Sequence, residues 1–163
     1  MQINATAANG VSVETGKIAE YASNIIAVMK EVPSVEFIIQ CNDETKPIWS
    51  RLVTNPPGNM SILFDASCGK GIVSESFPTP FPTIPCGYAG GIGPKNIKDV
   101  LQGVQTAADG QTIWIDMESS LRSLVVGTDG NHEDVFSVDK CFRCIKAGVD
   151  AGLPTSRFTL LSI

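Results

Sequence analysis

The hydrophobic positions of this chain form two kinds of pattern in alternation: short continuous runs and stripes with helical spacing. Runs rich in β-branched and aromatic residues predict buried strands over 34–41, 61–66, 85–90 and 112–117, and the opening MQIN predicts one more. Apolar residues that recur every three or four positions predict three helices, formed by Ile18, Tyr21, Ala22, Ile25, Ile26 and Met29, by Ile97, Val100, Leu101 and Val104, and by Val138, Cys141, Phe142 and Ile145.

Residues that favour helix ends mark the limits of these stripes. Pro94 fits the first turn of the second helix. Ser137 is a candidate N-cap for the third helix, and Gly148 is a candidate stop signal. A shorter helix is predicted over 48–53, between the second and third strands.

The alternation of strands and helices predicts one α/β domain over residues 1–163, with parallel strands and right-handed crossovers. The strands are apolar nearly throughout, which is typical of strands covered on both faces. One long irregular stretch, SESFPTPFPT at 74–83, is rich in proline and contains two phenylalanines. In a compact domain such a stretch predicts a loop over a ligand site.

Composition narrows the classes of function. The 163 residues are 43% apolar and 18% charged, as in an ordinary globular protein. A net charge of −5 without a basic cluster argues against nucleic acid or an anionic membrane surface as partner. No apolar run reaches the roughly 18 residues of a membrane span. With no secretory signal at the start and five cysteines at scattered spacings, we expect a cytoplasmic protein with reduced thiols.

The segment CFRC at 141–144 raises the question of a metal site. It is a C-x-x-C motif, but it falls within the third helical stripe and has no second cysteine pair. His132 is the one histidine, and it completes no zinc site of familiar spacing. The pattern therefore favours buried thiols over metal ligands, and we expect no cofactor.

Polar and glycine residues follow four of the predicted strands, at the edge where parallel α/β folds bind ligands. They are QCND (40–43), DASCGKG (65–71), GYAGGIGPKN (87–96) and DMESSLR (116–122). In the third of these, Gly90, Gly91 and Gly93 predict backbone N–H groups that converge on an anion such as a phosphate. A tight turn before a helix explains the same glycines. In the fourth, Asp116 and Glu118 share a side if the strand continues through them.

These segments resemble a known family. Three of them are similar, in the same order, to the last three strand-loop units of the phosphoribosylanthranilate isomerases: SILFDAS…GKG, CGYAGGIGPKNI and IWIDMESSLRS. That family has a (β/α)8 barrel fold. The resemblance covers about residues 35–123, and MQIN is similar to the fourth strand of the family. It implies a partial TIM barrel of about five βα units, with the ligand at the carboxyl ends of the strands.

The resemblance also implies site residues. Asp65 lies where the family has the general acid that protonates the furanose oxygen in an Amadori-type rearrangement. Gly90, Gly91 and Ser119 lie where backbone N–H groups of the family bind the substrate phosphate, and Asp116 matches a strand aspartate nearby. The implied ligand is a phosphorylated small molecule. Asp65 has a second interpretation, in which its carboxylate holds its own loop in place.

Three further positions bear on whether the chain is an enzyme. The family's general base is a cysteine on its first strand, outside the matching part, and Cys68 is either a displaced base or a small residue in a glycine loop. Glu118 replaces a small hydroxyl residue of the family, and Arg122 is a candidate to neutralise it. The alternative function is a non-catalytic scaffold or interaction protein derived from the barrel. Because an open partial barrel leaves two strand edges unpaired, we expect a homo-oligomer, most simply a two-fold dimer.

Overall fold

The structure, a computed structural model, describes residues 1–65, 76–128 and 130–152. Within these residues one sheet contains five parallel strands in the order β1-β2-β3-β4-β5. The strands are β1 Gln2–Ile3, β2 Phe37–Cys41, β3 Met60–Phe64, β4 Cys86–Tyr88 and β5 Ile113–Ile115. The predicted α/β fold with a parallel sheet is confirmed, and each strand lies within the run that predicts it or begins one residue before it.

Four helices accompany this sheet in the described part of the chain. They are α1 Ile18–Glu31, α2 Lys46–Leu52, α3 Ile97–Ala108 and α4 Val138–Asp150. The Ser137 side chain accepts a hydrogen bond from the backbone N–H of Lys140, so the predicted N-cap of α4 is confirmed. Two predicted ends are wrong. α3 begins after Asn96 rather than at Pro94, and α4 continues through the buried Gly148.

An antiparallel hairpin between β5 and α4 was not predicted. It pairs β6 Arg122–Val126 with β7 His132–Phe136, after a short 3₁₀ turn over Ser119–Leu121. The Arg122 guanidinium forms an ion pair with Asp134 at 2.7 Å and a second hydrogen bond to the Asp134 carbonyl oxygen. These contacts close the hairpin beside the end of β5.

The strand register divides the sheet into two faces with different partners. The first, which we call the helix face, carries the adjacent residues Ile3, Ile39, Ile62, Cys86 and Ile113. Two apolar clusters join this face to residues of all four helices. Since side chains alternate along a strand, the residues between them point to the other side. This opposite face carries Ile38, Gln40, Ser61, Leu63, Gly87 and Trp114.

The described part of the proline-rich stretch lies on the helix face, in contrast to the predicted loop over a ligand site. Phe81 stacks on Phe64 with ring centroids 5.9 Å apart, and Phe77 meets Tyr88 edge-on at 5.7 Å. The Tyr88 hydroxyl donates a hydrogen bond to the Pro78 carbonyl oxygen at 2.6 Å. A connection between two parallel strands must return across a face of the sheet, and here aromatic rings occupy the gap between α2 and α3.

Four cysteines, Cys41, Cys86, Cys141 and Cys144, are buried with free thiols. Burial raises the pKa of Cys41, Cys86 and Cys144, which keeps these thiols protonated and unreactive. Across the described residues, no three histidine, cysteine or acidic side chains come together as metal ligands would. The same part of the chain has no helix of the length and apolarity that a bilayer crossing requires.

Candidate functional site

The candidate site lies at the edge of the sheet where the parallel strands end. Asp65 directly follows β3, Ala89 follows β4 and Asp116 follows β5, and hydrogen bonds from all three backbone N–H groups continue the strand ladder. The register places them side by side on the opposite face. At about 4.8 Å per strand, the backbones of the two aspartates are separated by about 10 Å. The predicted grouping of strand-end carboxylates is therefore present.

Asp65 is held by a neighbour on β2. Its side chain is only 6% exposed, and its Oδ2 accepts a hydrogen bond from Gln40 Nε2 at 2.6 Å. Gln40 itself is 2% exposed. Because a carboxylate oxygen accepts hydrogen bonds, the Gln40 amide must turn its NH₂ group to Asp65 and its carbonyl oxygen elsewhere. That carbonyl oxygen, Oε1, has no hydrogen-bond partner among the described residues.

Asn42 stands one residue beyond the end of β2 in a fixed orientation. Its Oδ1 accepts a hydrogen bond from the backbone N–H of Thr45 at 2.9 Å, and Trp49 Nε1 donates to its backbone carbonyl at 2.9 Å. Since Thr45 N–H requires an acceptor, the Asn42 Nδ2 group must point away from the turn. Asn42 is 8% exposed, and this NH₂ group lacks a hydrogen-bond partner in the described part of the chain.

The glycine turn after β4 presents two backbone N–H groups. Gly90 and Gly91 have φ angles of 103° and 59°, in the left-handed region that favours glycine. Neither N–H donates a hydrogen bond to another described residue. Both residues are partly exposed at the carboxyl edge, next to Ala89. Such successive free N–H groups are what an anion-binding turn requires.

Gly93, which was also predicted to bind an anion, has a different role. Its N–H donates to Asn96 Oδ1 at 2.8 Å, and Asn96 Nδ2 donates back to the Gly91 carbonyl oxygen at 3.1 Å. A Cβ atom at Gly93 would lie 2.5 Å from Cβ of Ser120. Gly93 therefore allows the turn after β4 to pack closely against the turn after β5, and its N–H is not available to a ligand.

The turn after β5 gathers negative charge. β5 ends at Ile115, so the strand does not continue through Asp116 and Glu118 as considered above. Burial, assisted by the charges of Glu118 and Asp65, raises the pKa of Asp116 above 3.8, and a hydrogen bond from the backbone N–H of Met117 partly opposes this. Ser119 is exposed and adjoins Ser120, which contacts the glycine turn.

Arg122 does not neutralise Glu118, because its guanidinium is engaged by Asp134 in the hairpin. That prediction is wrong, and its cause is the hairpin that sequence reasoning missed. Cys68, the candidate base, lies outside the described residues. The Gln40–Asp65 bond was also missed, although QCND had been singled out at a strand end.

Comparison of the chain with protein-family models, with curated proteins and with solved structures gives no match. The fold and site define an α/β protein whose parallel sheet brings two aspartates and a glycine turn to its carboxyl edge. Its function must be argued from these residues.

Proposed function

We propose that this chain is a phosphoribosylanthranilate isomerase-like protein that binds a phosphorylated sugar at the carboxyl edge of its sheet. The observation that carries the proposal is the glycine turn, where the N–H groups of Gly90 and Gly91 donate to no other described residue and lie beside Asp65 and Asp116. The N–H groups would hold the phosphate. Asp65 would act on the sugar.

The architecture supports descent from a (β/α) barrel. The strand order follows the chain without reversal, and residues of all four helices pack on one face. A doubly wound sheet, in contrast, reverses its strand order and places helices on both faces. Helices on a single face are what a barrel segment has, because its other face turns inwards. We therefore propose a partial TIM barrel of five strands.

In the proposed reaction, Asp65 donates a proton to the ring oxygen of a furanosylamine as the C1–O bond breaks. The nitrogen lone pair then forms an iminium with C1, and loss of the C2 proton gives the enolamine that becomes the ketone. Gln40 positions the Asp65 carboxyl group through its 2.6 Å hydrogen bond. Cys68, a thiol three residues after Asp65 in the sequence, is the candidate for a displaced base that takes the C2 proton.

A second candidate function, a non-catalytic scaffold or interaction protein, is favoured by the charge at the site. Glu118 and Asp116 stand beside the glycine turn, and the nearby Arg122 is paired with Asp134 instead. A fixed carboxylate about 4 Å from a phosphate charge costs about 1 kcal/mol in water and more at a partly buried site. A protein that no longer binds phosphate would tolerate this charge.

Two glycine variants test the anion site. Gly91→Ala adds a methyl group at a φ of 59°, and Gly110→Ala adds one at 81°, at the other end of α3 with open space around it. Both should lose a similar stability, about 1–2 kcal/mol, from left-handed strain. Only Gly91→Ala should weaken phosphate binding measured by calorimetry. Absence of phosphate binding to the wild type at millimolar concentration would refute the proposal.

Turnover separates the two candidate functions. A furanosylamine 5-phosphate offered to the wild type should isomerise, and Asp65→Asn should abolish that reaction while phosphate still binds. Phosphate binding without turnover in the wild type would favour the non-catalytic function.

A further inference from the structure

Two buried polar atoms at the carboxyl edge have no hydrogen-bond partner among the residues that the structure describes. They are the acceptor Gln40 Oε1 and the donor Asn42 Nδ2, on side chains 2% and 8% exposed. Leaving a buried donor or acceptor unsatisfied is costly, so native proteins seldom retain two in neighbouring positions without a use.

The orientation of each amide is imposed by its surroundings. Reversing Gln40 would place its carbonyl oxygen 2.6 Å from Asp65 Oδ2, which is an acceptor as long as the proton that Asp65 would donate is on Oδ1. Reversing Asn42 would place its NH₂ group against the Thr45 N–H, 2.9 Å away. Both reversals bring together groups of the same kind, so the free acceptor and the free donor are consequences of the hydrogen-bond network.

The spacing of Gln40, Asn42 and the glycine turn along and across the strands matches the size of a small ligand. Gln40 and Asn42 are two residues apart, or about 7 Å along the chain. Across the sheet, Asn42 is next to Asp65, and Asp65 is next to Ala89, where the glycine turn begins. Two strand spacings, or about 10 Å, therefore separate Asn42 from the glycine turn. A pentose phosphate has about this length.

We propose that Gln40 and Asn42 form a hydroxyl-binding pair for the sugar part of the ligand, a specificity determinant that rests on the proposed function. A hydroxyl both donates and accepts, so one hydroxyl or two adjacent ones satisfy Gln40 Oε1 and Asn42 Nδ2 together. A carboxylate would leave Gln40 without a donor, and an ammonium group would leave Asn42 without an acceptor.

Calorimetry with ribose 5-phosphate and inorganic phosphate tests the pair. The wild type should bind ribose 5-phosphate about ten-fold more tightly, the effect of one or two additional hydrogen bonds. Asn42→Ser retains an oxygen that can accept from Thr45 N–H but lacks the NH₂ group, and it should bring the ratio of the two dissociation constants to about two or less. Asn59→Ser is the matched control, because Asn59 bonds backbone carbonyls near the amino end of β3 and should leave the ratio unchanged.

The side-chain amide NMR signals of Asn42 provide a direct second measurement. They should shift with ribose 5-phosphate and not with inorganic phosphate. A wild-type ratio near one, or amide signals that do not respond to the sugar, would overturn the pair and leave a buried water as the partner of these atoms. The outcomes also separate the two proposals: phosphate binding with a ratio near one refutes the pair alone, and a sugar response without phosphate binding refutes the glycine turn alone.

Discussion

Gly87→Ala should destabilise the protein through a contact that crosses two strands. A Cβ atom at Gly87 would lie 2.3 Å from Cδ2 and Cε2 of Trp114, and 2.6 Å from Cε3. The indole ring therefore lies flat on the backbone of β4, on the opposite face of the sheet. Gly87 has no left-handed φ, so alanine at this position tests the available space and not backbone strain.

The magnitude follows from the displacement that the ring must make. Carbon atoms in contact are about 3.5 Å apart, so the indole must retreat by about 1.2 Å. Overpacking of this kind costs about 1–3 kcal/mol, and the loss of glycine freedom in the unfolded chain returns about 0.4–1 kcal/mol. Trp114 is partly exposed on the edge strand β5, which allows some retreat. We expect a net loss of about 1–2 kcal/mol, or about 2–8 °C in Tm.

Urea denaturation followed by circular dichroism measures this loss, with Gly58→Ala as the control. Gly58 has open space around it and no left-handed φ, so its alanine variant should be more stable than the wild type by about the same 0.4–1 kcal/mol. In a Trp114→Ala background the ring is absent, and Gly87→Ala should cost nothing further. An equal loss with and without the indole, or a Gly87→Ala variant as stable as the control, would show that the ring does not lie on Gly87.

Three further predictions follow from the charges, the buried bonds and the open edges. Because the pKa of Asp116 is raised above 3.8 in the folded protein, its contribution to the free energy of unfolding should fall as pH rises from 3.8 through the raised pKa. Asp116→Asn should remove this decline, and a Tm difference between the variant and the wild type that stays constant from about pH 3.5 to 7 would contradict it. Asp65→Leu should cost about 1–3 kcal/mol more than Asp65→Asn in urea denaturation, because leucine leaves the Gln40 NH₂ group buried without an acceptor; equal losses would exclude the bond as a source of stability. Light scattering at micromolar concentration should give twice the chain mass of 17.3 kDa, since β1 and β5 are sheet edges and Leu124, Val126 and Phe136 are more than half exposed. A monodisperse monomer would refute the dimer.

The sheet was predictable because its strands are short apolar runs between helical stripes. The helical stripe of α1 was equally clear, and Ala22 and Met29 are buried as expected. α4 shows the limit of this reasoning. Val138 and Phe142 are 61% and 66% exposed, and the helix instead buries small residues, namely Cys141, Cys144, Ala147 and Gly148. Small side chains give a weak apolar signal although they pack closely.

The hairpin had a usable signal that was not recognised. The segment GTDGN between its strands contains the Asp-Gly pair typical of tight turns, although the strands RSLVV and HEDVF do not alternate in hydrophobicity. Two hydrogen bonds between described residues close that turn. The Gly127 N–H donates to the Asn131 carbonyl oxygen, and the Gly130 N–H donates to the Gly127 carbonyl oxygen. The missed hairpin led directly to the wrong prediction for Arg122.

The site was predictable in position but not in its bonds. Parallel strands bring their ends to one edge, so Asp65, Asp116 and the glycine turn were expected to meet. The Gln40–Asp65 bond joins residues 25 positions apart and depends on the register of β2 and β3. The contact of Gly93 with Ser120 depends likewise on how two turns pack. No local pattern contains that information.

The charge at the carboxyl edge restricts how an anion can be bound there. Arg122 is held by Asp134, so among the described residues a phosphate would be attracted by the N–H dipoles of Gly90 and Gly91. The carboxylates of Glu118 and Asp116 would oppose this attraction. The raised pKa of Asp116 reduces that opposition in the pH range where the carboxyl group retains its proton, because a protonated carboxyl group carries no charge. By linkage, an anion bound at the glycine turn increases the affinity of Asp116 for a proton by the same factor by which protonation of Asp116 increases the affinity for the anion. Phosphate binding and proton uptake are therefore coupled in the proposed site, and hydroxyl contacts to a sugar add affinity without removing this coupling.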